Sequence, residues 1–392
     1  MPHGGFRKDR KMKNFEVKTK VCFGERALDR LGQLAYKKAL IIADPFVVSS
    51  GMIREVTGRL DQAGVGYEVF SDVVPDPPVD KVIGGVKTAL AYDAPCMIAI
   101  GGGSAIDLAK AVRKFATEMK ASFNPWLIAI PTTSGTGSEV TSFSVISDPA
   151  KGTKYPLAEE SLIPDEAILD EELVKSVPAA VTADTGMDVM THAIEAYVST
   201  NNNEFSAALA EKAVEICGQF LLRSYNDNHD SHARRKMHIA SCLAGLAFNS
   251  ASLGLNHGMA HQLGAQFHIP HGKANAILLP YIIEYNSEID MHSRSRTVYA
   301  PCVRKYCNMA RTLGVSNFNE ITTVRAFVSY IQFMNKEMNI PLSVSAIGGI
   351  SEGEYMEKVE IMAEAALADA CTATNPRIPT KREVMELYRK IW

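Results

Sequence analysis

The chain has 392 residues, 46% of them hydrophobic and 22% charged, with 41 Lys and Arg against 44 Asp and Glu for a formal charge of −3. At roughly 100–200 residues per domain this allows two or three domains, and the composition is that of a folded globular protein, not a disordered or fibrous one. The near-neutral balance offers no field to nucleic acid or anionic lipid, and apolar runs such as Cys96 to Ile100 fall short of the roughly 18 residues that cross a bilayer. Small molecules are therefore the expected partners, with neither nucleic acid nor membrane.

Residues 1–13 carry Arg7, Lys8, Arg10, Lys11 and Lys13 with no apolar run behind them. They are expected as a disordered extension, with Met12 as an alternative start, and not as a secretory signal. The seven cysteines are an odd number scattered over the chain, which suits reduced thiols in a cytoplasm. From Lys38 to about Leu169, short β-branched runs alternate with amphipathic stretches, predicting βαβ units and a parallel sheet. Strands are expected at 39–43, 67–71, 96–100 and 127–130, and helices at 51–63, 79–92 and 104–116. The run Val74-Pro75-Asp76-Pro77-Pro78 reads as a turn between strand and helix. Beyond about Pro178 long helical stretches take over, at 205–222, 234–253 and 354–370. The expected organisation is an α/β nucleotide-binding domain over 14–180 and an all-α domain over 181–392.

Two loops at strand ends attract attention. Gly101-Gly102-Gly103-Ser104 follows one predicted strand and opens a helix, where glycines let a phosphate approach backbone N–H groups at the positive helix end. Taken alone, a triple glycine fits an unliganded tight turn equally well, and it is not the G-x-G-x-x-G fingerprint. Pro131-Thr132-Thr133-Ser134-Gly135-Thr136-Gly137-Ser138-Glu139 follows the next strand, and two such loops side by side favour a ligand beyond the carboxyl ends of the strands. Asp44 closes the first of these strands. Its carboxylate suits either a ribose 2′-OH, favouring NAD over NADP, or a cap for the turn before Pro45.

Four of the ten histidines, His257, His261, His268 and His271, crowd into one short stretch. His257 and His261 stand at i and i+4 on one helical face, as do Asp188 and His192 upstream. Carboxylate and imidazole ligands suit a divalent first-row metal such as Fe(II) or Zn(II). Asp184, one turn before Asp188, fits either the same acidic face or a helix N-cap, while His229, His232, His238 and His292 read as structural. No G-x-S-x-G nucleophile accompanies the cluster, so a Lewis-acid metal is favoured over covalent catalysis.

These residues together resemble the iron-containing (group III) alcohol dehydrogenases, from about Phe15 to Arg377. The likeness is carried by Gly101 to Ser104 with Asp107 and Lys110, by Pro131 to Glu139, by Gly186-Met187-Asp188 with Thr191-His192-Ala193, and by His257-Gly258-Met259-Ala260-His261 through Pro270-His271-Gly272. Asn375-Pro376-Arg377 fits as well. Members associated with bacterial microcompartments and acting on 1-propanol share the run from Lys151 to Leu157. The resemblance implies a dehydroquinate-synthase-like architecture with the site in the cleft between its two domains. It implies Fe(II) held by Asp188, His192, His257 and His271, and His261 beside substrate and nicotinamide. It also implies NAD(H) near Asp44, Gly101, Gly102, Gly103, Ser104, Asp107, Thr132, Thr133 and Lys154. His268 matches no ligand position, and Asp76 stands where relatives often carry Asn near the adenosine. A short alcohol or aldehyde is the implied substrate, propanal/1-propanol ahead of acetaldehyde/ethanol, with Phe143, Leu253, Leu255 and Phe267 as candidate apolar surroundings. A homodimer and microcompartment components are the implied protein partners. A metal-dependent lyase on the same fold is disfavoured by the scarcity of Lys and Arg between Ser250 and His271, and a noncatalytic scaffold by the intact ligand set.

Overall fold

The computed structural model describes residues 14–148, 153–289 and 301–392. The basic segment before residue 14 and His292 lie outside the described residues, as does the side chain of Lys154.

The first half of the chain contains β1 (Lys20–Phe23), β2 (Lys38–Ala43), α1 (Pro45–Ser49), α2 (Arg54–Gln62), β3 (Gly66–Phe70), α3 (Val79–Tyr92), β4 (Cys96–Gly101), α4 (Gly103–Met119), β5 (Trp126–Pro131), β6 (Phe143–Asp148), β7 (Thr153–Ala158) and β8 (Glu166–Leu169). Six strands form one parallel sheet in the order β1-β8-β5-β4-β2-β3, while β6 and β7 make a separate antiparallel hairpin. Every residue of β4 is buried, as a central parallel strand covered on both faces must be. One face packs under α3 and α4 through Val82, Val86, Ile106 and Val112; the other packs under α2 and the 3-10 turn Ala27–Gln33.

The four expected strands and three expected helices are present, and two further strands close one side of the sheet. β8 escaped detection because it opens on Glu166, a carboxylate that would not be placed inside a sheet from sequence alone. It is fully buried, and Arg30 neutralises it with Nε 2.6 Å from Oε1 and Nη2 3.0 Å from Oε2. α2 begins at Arg54 and not at 51, because Gly51 adopts φ +80°, outside helical space.

The second half is helical: α5 (Ala179–Val198), α6 (Glu204–Asn226), α7 (Ser231–Ala251), α8 (Leu255–Phe267), α9 (His271–Ser287), α10 (Val303–Thr312), α11 (Glu320–Glu337), α12 (Glu352–Ala368) and α13 (Lys381–Lys390). Asn203, Asn319 and Thr380 start α6, α11 and α13 with reciprocal capping boxes. α5 runs through the centre of this half, and every residue from Gly186 to Val198 is buried. Its polar side chains must therefore find partners inside the protein. No single helix among the described residues is long and apolar enough to cross a membrane.

The loop after β5 docks backbone to backbone on α7. Gly137, at φ +62°, lies so close to Gly245 that a Cβ at 137 would sit 2.6 Å from the Gly245 Cα, and a Cβ at 245 would sit 2.9 Å from the Gly137 carbonyl oxygen. Gly245→Ala should lower stability by about 1–3 kcal/mol, read as a lower urea midpoint. Gly58→Ala, in α2 with nothing within 4 Å of the added methyl, should leave the midpoint unchanged or raise it.

Candidate active site

Three strand ends meet at the carboxyl edge of the sheet. Gly101 ends β4 between Asp44 and Ala105, and a side chain there would come within 2.8 Å of both Cβ atoms. A Cβ on Gly103 would come within 2.8 Å of Thr136, so the two glycine-bearing loops can approach only without side chains. The Thr132 N–H donates to the Gly101 carbonyl at 2.9 Å and ties the loops together. Gly102 caps α4 without any side-chain hydrogen bond. The first N–H groups of a long helix, flanked by half-buried Ser104 and Thr133, thus stand at the strand ends with the donors an anion would need.

Two acidic residues near this cradle have partners within the chain. Asp44 Oδ1 accepts the Phe46 N–H at 2.7 Å, so the capping role is realised, while the half-buried carboxylate still stands at the strand end. Asp107 does not face the cradle with free oxygens. Its Oδ1 accepts Ser138 Oγ–H at 2.5 Å and its Oδ2 accepts the Val145 N–H at 3.0 Å, bracing α4 against the loop and the hairpin. Lys110, one turn on, donates to the carbonyls of Thr141 and Phe143 at 2.9 and 2.8 Å, and burial pulls its ammonium down to about 8. Lys154 pairs with Ser147 in the hairpin through its backbone.

The ligand candidates converge in the helical half. α5 supplies Asp188 and His192, α8 supplies His257, and the first residue of α9 is His271. One donor atom from each lies within 4.8 Å of the other three. Asp188 Oδ1 is 3.6 Å from His257 Nε2 and 3.5 Å from His271 Nε2, and Asp188 Oδ2 is 3.9 Å from His192 Nδ1. Burial alone would raise the Asp188 carboxyl, but the surrounding imidazoles hold it well below the usual carboxylate range. Burial also pulls His192 down to about 4, which keeps its ring neutral.

The donors present fit a divalent cation. The buried His192 Nδ1 has no hydrogen-bond partner and faces the group with a free lone pair. The Asn275 amide nitrogen lies 2.7 Å from Asp188 Oδ1 and 3.1 Å from both His257 Nε2 and His271 Nε2, yet carries only two hydrogens for these three acceptors. A cation satisfies what the amide cannot. Asp184 lies outside the group: it is neither ligand nor N-cap, since Pro178 caps α5, and its carboxylate lies 3.7 Å from Lys273 Nζ. His268 caps the end of α8 at φ +54°, away from the ligands. His238 reaches Ser134 Oγ at 3.0 Å and so binds α7 to the hydroxyl-rich loop.

Several residues that complete the site were not singled out from sequence. Glu195, fully inside α5, takes the His257 ring at Nδ1 (2.5 Å) and the Asn256 N–H (2.7 Å). Asn256 Nδ2 donates to Asn275 Oδ1 at 2.9 Å and fixes the amide that touches Asp188. Asp369 accepts from His261 Nδ1 at 2.7 Å. Phe248 stacks on His192 at 4.6 Å between centroids and lies beside Phe143 at 6.4 Å. Leu255 and Phe267 instead belong to the helical core, Phe267 stacking on Tyr355. His261 and His271, with side chains 39% and 41% exposed, mark the open side.

Two family models match the chain, one described as iron-containing alcohol dehydrogenase over residues 18–171 and one as Fe-containing alcohol dehydrogenase family, C-terminal, over residues 182–392. The chain belongs to the iron-containing alcohol dehydrogenases. It is 41% identical to 1-propanol dehydrogenase from Citrobacter freundii over 97% of this chain and 100% of that one. It is 38% identical to NADPH-dependent butanol dehydrogenase from Clostridium saccharobutylicum over 97% of this chain and 98% of that one. The solved structure of sulfoacetaldehyde reductase from Bifidobacterium kashiwanohense in complex with NAD+ superposes with a TM-score of 0.83 at 26% identity, covering 97% of this chain and 99% of that one. The architecture is accordingly the dehydroquinate-synthase-like one that the resemblance implied.

In an iron-containing alcohol dehydrogenase built this way, Glu195 orients a ligand without being one. Glu195→Gln should weaken metal binding about 10- to 100-fold, measured by competition with a chelator, while circular dichroism stays that of the parent. His257→Ala should lose bound metal altogether, whereas His261→Ala should retain it.

Proposed function

We propose that the enzyme interconverts short primary alcohols and aldehydes using Fe(II) and NAD(H), with reduction of propanal to 1-propanol as its physiological direction. The observation that carries this reading is the contact between the two halves of the site. The hydroxyl-rich loop after β5 packs Gly135 against Thr185 of α5, the helix that carries Asp188 and His192. The anion cradle and the ligand cluster therefore share a wall, as hydride transfer between a dinucleotide and a metal-held substrate requires.

Bound there, the metal would supply Lewis-acid polarisation of the substrate oxygen, and the dinucleotide would exchange the hydride. Asp188, His192, His257 and His271 would hold the metal, and the N–H groups opening α4 with Ser104, Thr132 and Thr133 would hold the diphosphate. Asp44, at the end of β2, would meet the ribose and repel a 2′-phosphate, favouring NAD over NADP. Phe248 and Phe143 form an apolar wall beside His192 that suits a short alkyl chain and excludes water from it. His261, on the open side, exchanges the substrate's proton at Nε2 with solvent. The likeness to a 1-propanol dehydrogenase over its full length supports propanal ahead of acetaldehyde.

Purified without oxygen, the Fe(II)-loaded enzyme should oxidise NADH with propanal, and the metal-stripped enzyme should not. Turnover that survives metal removal, or that requires NADPH, would overturn the assignment. Asp44→Ala should narrow the preference for NADH over NADPH by about 10-fold, measured as a ratio of kcat/KM values and equivalent to about 1.4 kcal/mol, because the repulsion of a 2′-phosphate is removed.

A further inference from the structure

The side chain that holds His261 comes from far along the chain. Asp369 precedes the 3-10 turn Ala370–Thr374, where its Oδ1 accepts the Cys371 N–H at 2.9 Å while its Oδ2 accepts from His261 Nδ1 at 2.7 Å. The turn is locked onto α8 at several points. Thr374 Oγ donates to the Leu253 carbonyl at 2.7 Å, and Asn375 Oδ1 accepts the Leu255 N–H at 3.1 Å. Thr372 packs so tightly on Gly258 that a Cβ there would lie 2.2 Å from its Oγ. The carboxylate is thus fixed relative to the helix that carries His261. Burial notwithstanding, the His261 contact keeps Asp369 ionised, at about 2.

An ionised carboxylate is acceptor-only, so the nitrogen that faces it must carry a hydrogen. In the neutral ring the other nitrogen is then an acceptor. The ring itself is placed by stacking on His271, with centroids 5.4 Å apart, on the open side of the site.

We propose that Asp369 is a positioning residue that holds His261 as the Nδ1–H tautomer, so that Nε2 is free to take the substrate's hydroxyl proton. The proposal rests on the proton-relay role given to His261 above. In alcohol oxidation the O–H bond breaks and its proton goes to Nε2. The carbinol C–H bond breaks with its electron pair leaving as hydride for the oxidised nicotinamide, and the carbonyl forms. The resulting imidazolium keeps its Nδ1 proton toward Asp369 and releases the Nε2 proton to solvent; aldehyde reduction runs the same transfers backwards.

Asp369→Asn tests this with little change of shape. The new amide oxygen can still accept the Cys371 N–H, but its NH2 group faces His261 Nδ1 and requires an acceptor there, which moves the ring hydrogen to Nε2. The same exchange in a Ser-His-Asp triad gives the wrong tautomer and lowers kcat about 10⁴-fold. For Fe(II)-loaded Asp369→Asn, kcat with propanal should fall about 10²- to 10⁴-fold, with bound iron and the KM for NADH close to the parent's. Asp369→Glu should recover part of the loss. In a His261→Ala background Asp369→Asn should cost almost nothing more, because its effect passes through that ring. Additive losses in the double variant, loss of iron, or parental kcat in Asp369→Asn would each overturn the proposal. Parental kcat in His261→Ala alone would instead strike down the relay reading, and the positioning role with it.

Discussion

A carboxylate in the middle of a buried helix is the constraint around which the helical half is arranged. Asp188 sits in the part of α5 where no residue reaches solvent, and an isolated charge there would be too costly to keep. It is tolerated because α8 and α9 each bring an imidazole to it and α9 brings the Asn275 amide. Removing one partner of such a buried pair typically costs about 3–5 kcal/mol, so the convergence of α5, α8 and α9 is tied to the site as much as to apolar packing. The opposing contact is Glu195, which holds His257 from its far edge. The ring is thereby fixed with Nδ1 held by Glu195 and Nε2 turned toward Asp188 and the other ligand candidates.

The α/β half is attached to this centre by close backbone approaches and by polar ties to α7, through Ser134 to His238, Ser142 to Asn249 and Glu171 to Arg235. Gly137 meets Gly245, and Gly135 meets Thr185, at distances that leave no room for a Cβ. These contacts bring the carboxyl edge of the sheet up to His192. Asp107 and Lys110 then stiffen the same region from beneath, one anchoring the loop and the hairpin, the other the segment between them. Asp107 looked like a ligand-facing residue in the sequence. The hydrogen bonds of the two residues tie α4 to the segments behind the glycine-rich turn.

The parts of the molecule legible in sequence are those whose signal is local. β2 to β5 announce themselves as β-branched runs, and the site candidates as two i, i+4 pairs, Asp188/His192 and His257/His261, with His271 following a proline. Glu195 and Asn275 were within reach of the same logic, being seven residues after Asp188 and four after His271 on the same helical faces. Asp184 shows the limit of that logic. It shares the spacing, but close packing of Gly272 against its carbonyl turns the residue toward Lys273 instead. β1, β8 and Asp369 had no local signal at all. Glu166 is admitted to a strand by an arginine far away in sequence, and Asp369 reaches His261 only because Gly258 lets a distant turn lie on α8.

The exposure of the four rings around the centre divides the work of the site. His192 and His257 are nearly closed off from solvent, backed by Phe248 and Glu195, whereas His261 and His271 form a stacked pair at the surface of the cleft. Access to the centre therefore runs past His261 and His271. A substrate of the kind proposed, entering that way, would have its polar end among the imidazoles and its alkyl chain along the aromatic side. The placement of His261 on the open side also separates the ring proposed to exchange the proton from the buried nitrogens suited to a metal. Each imidazole is assigned by what backs it: a phenyl ring for His192, a buried carboxylate for His257, and for His261 a carboxylate beside solvent, where a proton can leave.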